Sequence, residues 1–162
     1  MDILERIEKI IKKFSEKNIW VAIAESCTGG YISHMITNIS GASKVFERGV
    51  ISYSNQAKID LLKINPKIIE KFGAVSEKVA NQMAYNVRIM SKLCDIGIGI
   101  TGIAGPTGGT PEKPVGLVFI GFSTEKETFV KKFNFKTDRF FFKKKVLKEV
   151  VGFLENYTLG RI

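Results

Sequence analysis

Glu25, Ser26, Cys27 and Thr28 stand in a row, a carboxylate, a hydroxyl, a thiol and a second hydroxyl, and Gly29 and Gly30 follow. The apolar run Ile19-Trp20-Val21-Ala22-Ile23-Ala24 precedes them and an amphipathic segment, Tyr31 to Ile39, comes next. A strand that passes to a helix through small polar residues leaves main-chain N–H groups unpaired at the turn. Such donors hold a phosphate, or the oxyanion of a tetrahedral intermediate. Ser26 occupies the place a nucleophile would need. A serine or threonine at a helix start also serves as a plain cap, but Glu25, Cys27 and the glycine pair are more than a cap requires.

Two further stretches have the same character. Val50-Ile51-Ser52-Tyr53-Ser54-Asn55-Gln56-Ala57-Lys58 reads as a strand end entering a helix. Lys58 falls three residues after Asn55, about one helical turn on, and so reaches back over the end of its own strand. Thr101 to Gly116 holds far more glycine than a connector needs, Gly102, Gly105, Gly108 and Gly109 among them. Glycine lets a backbone approach a ligand closely. All three stretches sit at the C-terminal ends of predicted strands, where open α/β sheets bind ligands.

The elements that position them follow from periodicity. Ile3, Leu4, Ile7, Ile10, Ile11 and Phe14 repeat at helical spacing over residues 2–17. Ile19–Ala24 is a strand, Cys27–Asn38 a helix, Phe46–Ser54 a strand, and Asn55–Leu62 a short helix ending before Asn65-Pro66. A brief helix over Pro66–Phe72 and a long one from Ser76 through Val79, Met83, Val87 and Met90 come next. Asp95–Thr101 reads as a buried central strand. Val115–Ser123 and Thr128–Phe135 form a hairpin, and Asp138–Tyr157 is the last helix. Strands alternating with helices, then a late hairpin, imply an α/β fold.

Composition narrows the function classes. The 162 residues are 44% hydrophobic and 25% charged, as in a globular domain, and no linker or repeat divides them. No apolar run is long enough to span a bilayer, no secretory signal is visible, and two cysteines make no disulfide framework, so a cytoplasmic location is expected. The net charge of +9 favours anionic partners without separating a phosphorylated metabolite from a polynucleotide. No reader motif for nucleic acid accompanies it. In Phe140-Phe141-Phe142-Lys143-Lys144-Lys145 the aromatics are read as a buried helix face and the lysines as its wet face.

Some motifs are decoys. Gly97-Ile98-Gly99-Ile100-Thr101-Gly102 matches G-x-G-x-x-G, but its glycines lie inside a strand instead of opening a helix, which rejects a dinucleotide site. His34, the only histidine, lies roughly 12 Å along the helix from Ser26 and fits no triad. No metal-ligand set is present.

Taken together, the stretches resemble the C-terminal domain of the CinA family. The resemblance rests on Ala24 to Gly30, Phe46-Glu47-Arg48-Gly49, Tyr53-Ser54-Asn55 with Lys58, and Gly73-Ala74-Val75-Ser76. It continues through Gly102 to Gly109 and Lys113-Pro114-Val115-Gly116. Thr137-Asp138-Arg139 departs from the family's usual Gly-Asp-Arg, and Lys143 stands where an arginine is common. The resemblance implies a single amidohydrolase domain over residues 1–162, a three-layer α/β/α sandwich with a mixed, mostly parallel sheet of about five strands. It implies Ser26 as nucleophile, Lys58 as general base and Tyr53 relaying or orienting the proton. The reaction implied is hydrolysis of nicotinamide mononucleotide to nicotinate mononucleotide and ammonia.

Substrate contacts are expected from Glu25, Thr28, Gly29, Gly30, Asn55, Thr101, Gly102, Gly105, Gly108, Gly109, Lys113 and Arg139. Thr107 is a further contact, and Lys113 divides evenly between phosphate ligand and loop lysine. An amide is a poor electrophile, so Lys58 must lose its charge near neutral pH, and Val50, Ile51, Ile59 and Leu62 are the apolar neighbours available. The substrate phosphate belongs away from Lys58, at the glycine loop or near Arg139. Cys27 is a rival nucleophile without a histidine to activate it. No cofactor, metal, nucleic-acid or membrane partner is expected, and a homo-oligomer remains open. The alternatives are a catalytically silent nucleotide-binding or protein-interaction module, and a basic DNA-associated protein.

Overall fold

Asp2 and Glu5 open the first helix with reciprocal side-chain caps, and α1 (Ile3–Lys17) then lays Ile7, Ile10, Ile11 and Phe14 inward. Leu4, on the predicted apolar stripe, is exposed. The computed structural model describes all residues, 1–162. The strands are β1 (Val21–Glu25), β2 (Phe46–Ile51), β3 (Ile96–Gly102), β4 (Leu117–Ser123) and β5 (Thr128–Asn134). The remaining helices are α2 (Tyr31–Thr37), α3 (Asn55–Leu62), α4 (Pro66–Phe72), α5 (Glu77–Ile89) and α6 (Arg139–Thr158).

The sheet runs β2-β1-β3-β4-β5. β1 pairs parallel with both β2 and β3, and β4 pairs antiparallel with β3 and β5. Four strands therefore point one way and β4 alone runs against them. One face carries α1, α2 and α6 over Val21, Ile23, Ile96, Ile98, Ile100, Val118 and Ile120. The other carries α3, α4 and α5 over Ala22 and Ala24. The result is a three-layer α/β/α sandwich with a mixed sheet. No helix is long and apolar enough to cross a membrane.

The glycines of the rejected dinucleotide motif have a packing role. A Cβ on Gly97 would overlap the carbonyl oxygen of Ala84, and one on Gly99 would overlap the backbone of Ala84 and lie 2.8 Å from the carbonyl oxygen of Ala80. Bare backbone is what lets α5 lie this close to β3.

Two expectations need correction. Cys27–Gly30 is a turn, and α2 begins only at Tyr31. Its first donors are taken by a side chain, as described below. On α6, Phe142 is buried but Phe140 and Phe141 are exposed, with the Lys144 ammonium 4.4 Å and 5.2 Å from their ring centroids. The aromatic run thus straddles the helix, since consecutive helical residues do not share a face.

Candidate active site

The C-terminal ends of β1 and β2 bring the predicted pair together. Ser54 caps α3, its hydroxyl accepting from the Ala57 N–H at 3.0 Å. That start sets Lys58 on the first turn, facing back across the strand ends. Its side chain is only 1% exposed. The amine Nζ lies 2.9 Å from Ser26 Oγ, 2.9 Å from the Ser52 carbonyl oxygen and 3.3 Å from that of Tyr53. Burial pushes the Lys58 amine below the ordinary lysine range, because an ammonium loses hydration there. Leu62 is buried nearby in the chain, with Val50 and Ile59 partly buried against the same core. Ile51, expected to help, is exposed.

Glu25 ends β1 fully buried. Its carboxylate accepts from the N–H groups of Gly30 (3.0 Å), Ile32 (3.2 Å) and Ser33 (2.8 Å), and from the Ser33 hydroxyl (2.7 Å). It caps α2 from inside the chain, which leaves it no capacity for substrate. Within the turn, the Gly29 N–H donates to the Ser26 carbonyl and the Ser26 N–H to that of Ile100. The N–H groups of Cys27 and Thr28 donate to no oxygen of the protein.

A cleft of about 260 Å³ opens beside the pair. Ser26, Tyr53, Asn55, Lys58, Thr101, Gly102, Gly105, Gly108 and Arg139 line it, all predicted site residues, together with Thr107. Ala74, Val75, Ile103 and Ala104 also line it and had no role assigned from the sequence. Ala74 and Val75 belonged to a quoted motif, yet alanine and valine offer no chemistry to recognise. They arrive because the Thr101 hydroxyl donates to the Ala74 carbonyl at 2.8 Å.

Glu25, Thr28, Gly29, Gly30, Gly109 and Lys113 lie outside the lining. The Lys113 ammonium instead donates to the Phe72 carbonyl at 2.5 Å, tying the glycine loop to the end of α4. Gly109 is packed on Val115. The Tyr53 phenol, expected to relay a proton, makes no hydrogen bond to Ser26 or Lys58; only its main-chain carbonyl meets them. Cys27 lines the cleft, and burial pushes its thiol up to about 12, so it stays protonated. No three His, Cys, Asp or Glu side chains come together that would hold a metal ion.

Arg139, at the start of α6, donates from Nε to the Gly105 carbonyl at 2.7 Å and makes no ion pair. Lys143, one turn later, holds its ammonium 3.8 Å from where a Cβ on Gly29 would stand. The cleft lining contains no carboxylate.

Comparison with known proteins gives a consistent picture. The sequence model of the CinA C-terminal domain matches residues 4–158. A CinA-like protein of Kosmotoga olearia is 48% identical over 136 residues, 83% of this chain and 33% of that protein. A protein of Thermoanaerobacter sp. (strain X514), with the provisional name competence-damage inducible protein, is 46% identical over 157 residues. The chain spans 38% of the length of that relative and 96% of itself. Among solved structures, the competence/damage inducible protein CihA from Agrobacterium tumefaciens superposes with a TM-score of 0.90 at 35% identity, covering 95% of this chain and 94% of that one. A CinA superfamily protein from Klebsiella pneumoniae reaches 0.92 at 22% identity over 99% of both chains, a likeness of fold alone.

Proposed function

The chain belongs to the CinA C-terminal domain family, and from that premise we propose that it is an amidohydrolase working through Ser26 and Lys58. The substrate proposed is nicotinamide mononucleotide, with nicotinate mononucleotide and ammonia as products. One observation carries the reading: a buried lysine amine 2.9 Å from a serine hydroxyl, both in the wall of one cleft.

A neutral amine has two N–H bonds and one lone pair. In a neutral Lys58 the Ser52 and Tyr53 carbonyls would take the two N–H bonds, which turns the lone pair to the Ser26 hydroxyl 2.9 Å away. As Oγ attacks the carboxamide carbon, its proton passes to Nζ, and the resulting ammonium is held by the same two carbonyls. The oxyanion falls to the unpaired N–H groups of Cys27 and Thr28. Lys58 then protonates the departing nitrogen, the C–N bond breaks, and ammonia leaves an ester on Ser26. Water attacks that ester with Lys58 again as base, releasing the carboxylate and restoring the serine.

Arg139 and Lys143 are the cations for the phosphate. This reading needs the phosphate held by α6 and away from Lys58, whose amine would otherwise be pushed back towards its charged form. Incubating the purified protein with nicotinamide mononucleotide and following ammonia release tests the reading. Catalytic release supports it, and none at saturating substrate overturns it.

A further inference from the structure

Tyr53 stands in the connection between β2 and α3, and its two ends face different neighbours. Its carbonyl oxygen lies 3.3 Å from Lys58 Nζ and 3.4 Å from Ser26 Oγ. Tyr53 is among the residues lining the cleft and is 60% exposed, and its phenol donates no hydrogen bond within the protein. An exposed tyrosine alone means little, but Tyr53 is the only aromatic residue in the lining of this cleft.

The phenol is not a partner of Nζ. A tetrahedral amine offers three positions besides its carbon, and Ser26 Oγ, the Ser52 carbonyl and the Tyr53 carbonyl stand at them. In the mechanism proposed above, Lys58 alone takes the Ser26 proton and passes it to the leaving group. What the phenol ring can meet is the ligand. An aromatic face carries a negative quadrupole and attracts a flat cationic ring. The remaining apolar lining, from Cys27, Ala74, Val75, Ile103 and Ala104, is aliphatic or thiol and offers only dispersion.

We propose that the Tyr53 side chain is the aromatic platform of the cleft, binding the pyridinium ring of a heteroaromatic carboxamide, and that it carries no proton. This inference rests on the amidohydrolase reading for its substrate class. It makes Tyr53 a specificity-determining residue that favours cationic aromatic carboxamides over aliphatic ones.

The experiment compares wild type, Tyr53→Leu and Tyr53→Phe in two measurements. Every variant keeps the main-chain carbonyl on Lys58, and the exposed ring leaves folding intact. The first measurement is NMR-detected binding of 1-methylnicotinamide, a pyridinium carboxamide without ribose or phosphate. The leucine variant is expected to bind roughly tenfold more weakly, and phenylalanine to recover most of that loss. Equal binding by the leucine variant, or no binding by wild type at millimolar ligand, overturns the proposal. The second is steady-state hydrolysis of nicotinamide mononucleotide, where leucine raises KM much more than it lowers kcat. A collapse of kcat in Tyr53→Phe would make the phenol a proton carrier and overturn the proposal. Ring binding that depends on Tyr53, in a wild type releasing no ammonia, would sink the amidohydrolase reading and leave the platform standing.

Discussion

Glu25 and Lys58 are both withdrawn from water at the C-terminal end of the sheet, and the fold treats them in opposite ways. Burying an ionisable group is costly unless its hydrogen bonds are replaced. Glu25 has four donors, all from the start of α2. Every one belongs to the framework, so nothing is left for a ligand. Lys58 has two framework carbonyls, and its third partner is the hydroxyl of Ser26 beside an open cleft. The difference separates a buried ionisable group that serves the framework from one open to the proposed chemistry: what matters is whether any of its partners can react. The start of α2 is also closed to a ligand phosphate, because the helix end that would attract an anion already holds one.

The contrast breaks most visibly at the hydroxyl. Ser26→Ala removes the only reactive partner, and ammonia release is expected to fall on the order of 10³-fold or more while circular dichroism stays native. Cys27→Ala, by comparison, loses little, its thiol being protonated; a dead Cys27→Ala with an active Ser26→Ala would move the nucleophile by one residue. Lys58 comes next. Arginine cannot release a proton near neutral pH, so Lys58→Arg and Lys58→Met are both expected to lose about 10²–10⁴ in kcat. A Lys58→Arg variant with near-normal kcat would demote the lysine to an anchor. The pH profile has a fixed sign: on the proposed mechanism the active form is the neutral amine, so kcat/KM of wild type is expected to fall as pH drops through the lowered Lys58 pKa.

Glu25 gives a smaller and different effect. In Glu25→Gln one carbonyl oxygen must replace two carboxylate oxygens, and an amide NH2 meets N–H donors. Stability is expected to fall by about 1–3 kcal/mol, read from the denaturant midpoint, with a milder loss of kcat through the displaced turn. An unchanged midpoint would mean that the four hydrogen bonds contribute little and that the comparison with Lys58 is empty.

Much of the fold is legible in the sequence. The bounds of α3 and α4 match the reading residue for residue, because Ser54, Asn65 and Pro66 are start signals that act locally. The cap on α2 was not legible in the same way. Glu25 precedes the helix by six residues and reaches its donors from the end of a strand, so no capping pattern marks it. The contact of the Tyr53 carbonyl with Lys58 and Ser26 is not legible either, since a backbone contact leaves no trace in residue type. For Lys113 the sequence divides evenly between phosphate ligand and loop lysine, and only the fold shows its ammonium on the Phe72 carbonyl. The cleft wall at Ala74 and Val75 depends on a bond to Thr101, 27 positions away, and small apolar residues give no sign of it.

Gly97, Gly99 and Gly121 set a clearance. Where α5 crosses β3 and β4, side chains on those three residues would strike the helix backbone. Directly before α5 stand Ala74 and Val75, one wall of the cleft. The width of the aperture facing Ser26 is thus gauged by methyl groups that are missing from the core, where no substrate travels. A Gly99→Ala protein that still folds would act as a shim, lifting α5 and carrying that wall outward. The expected sign is a higher KM with kcat nearly kept, since Ser26 and Lys58 follow β1 and β2, strands to which none of those three glycines belongs; an unchanged KM would show that the wall and the helix move independently.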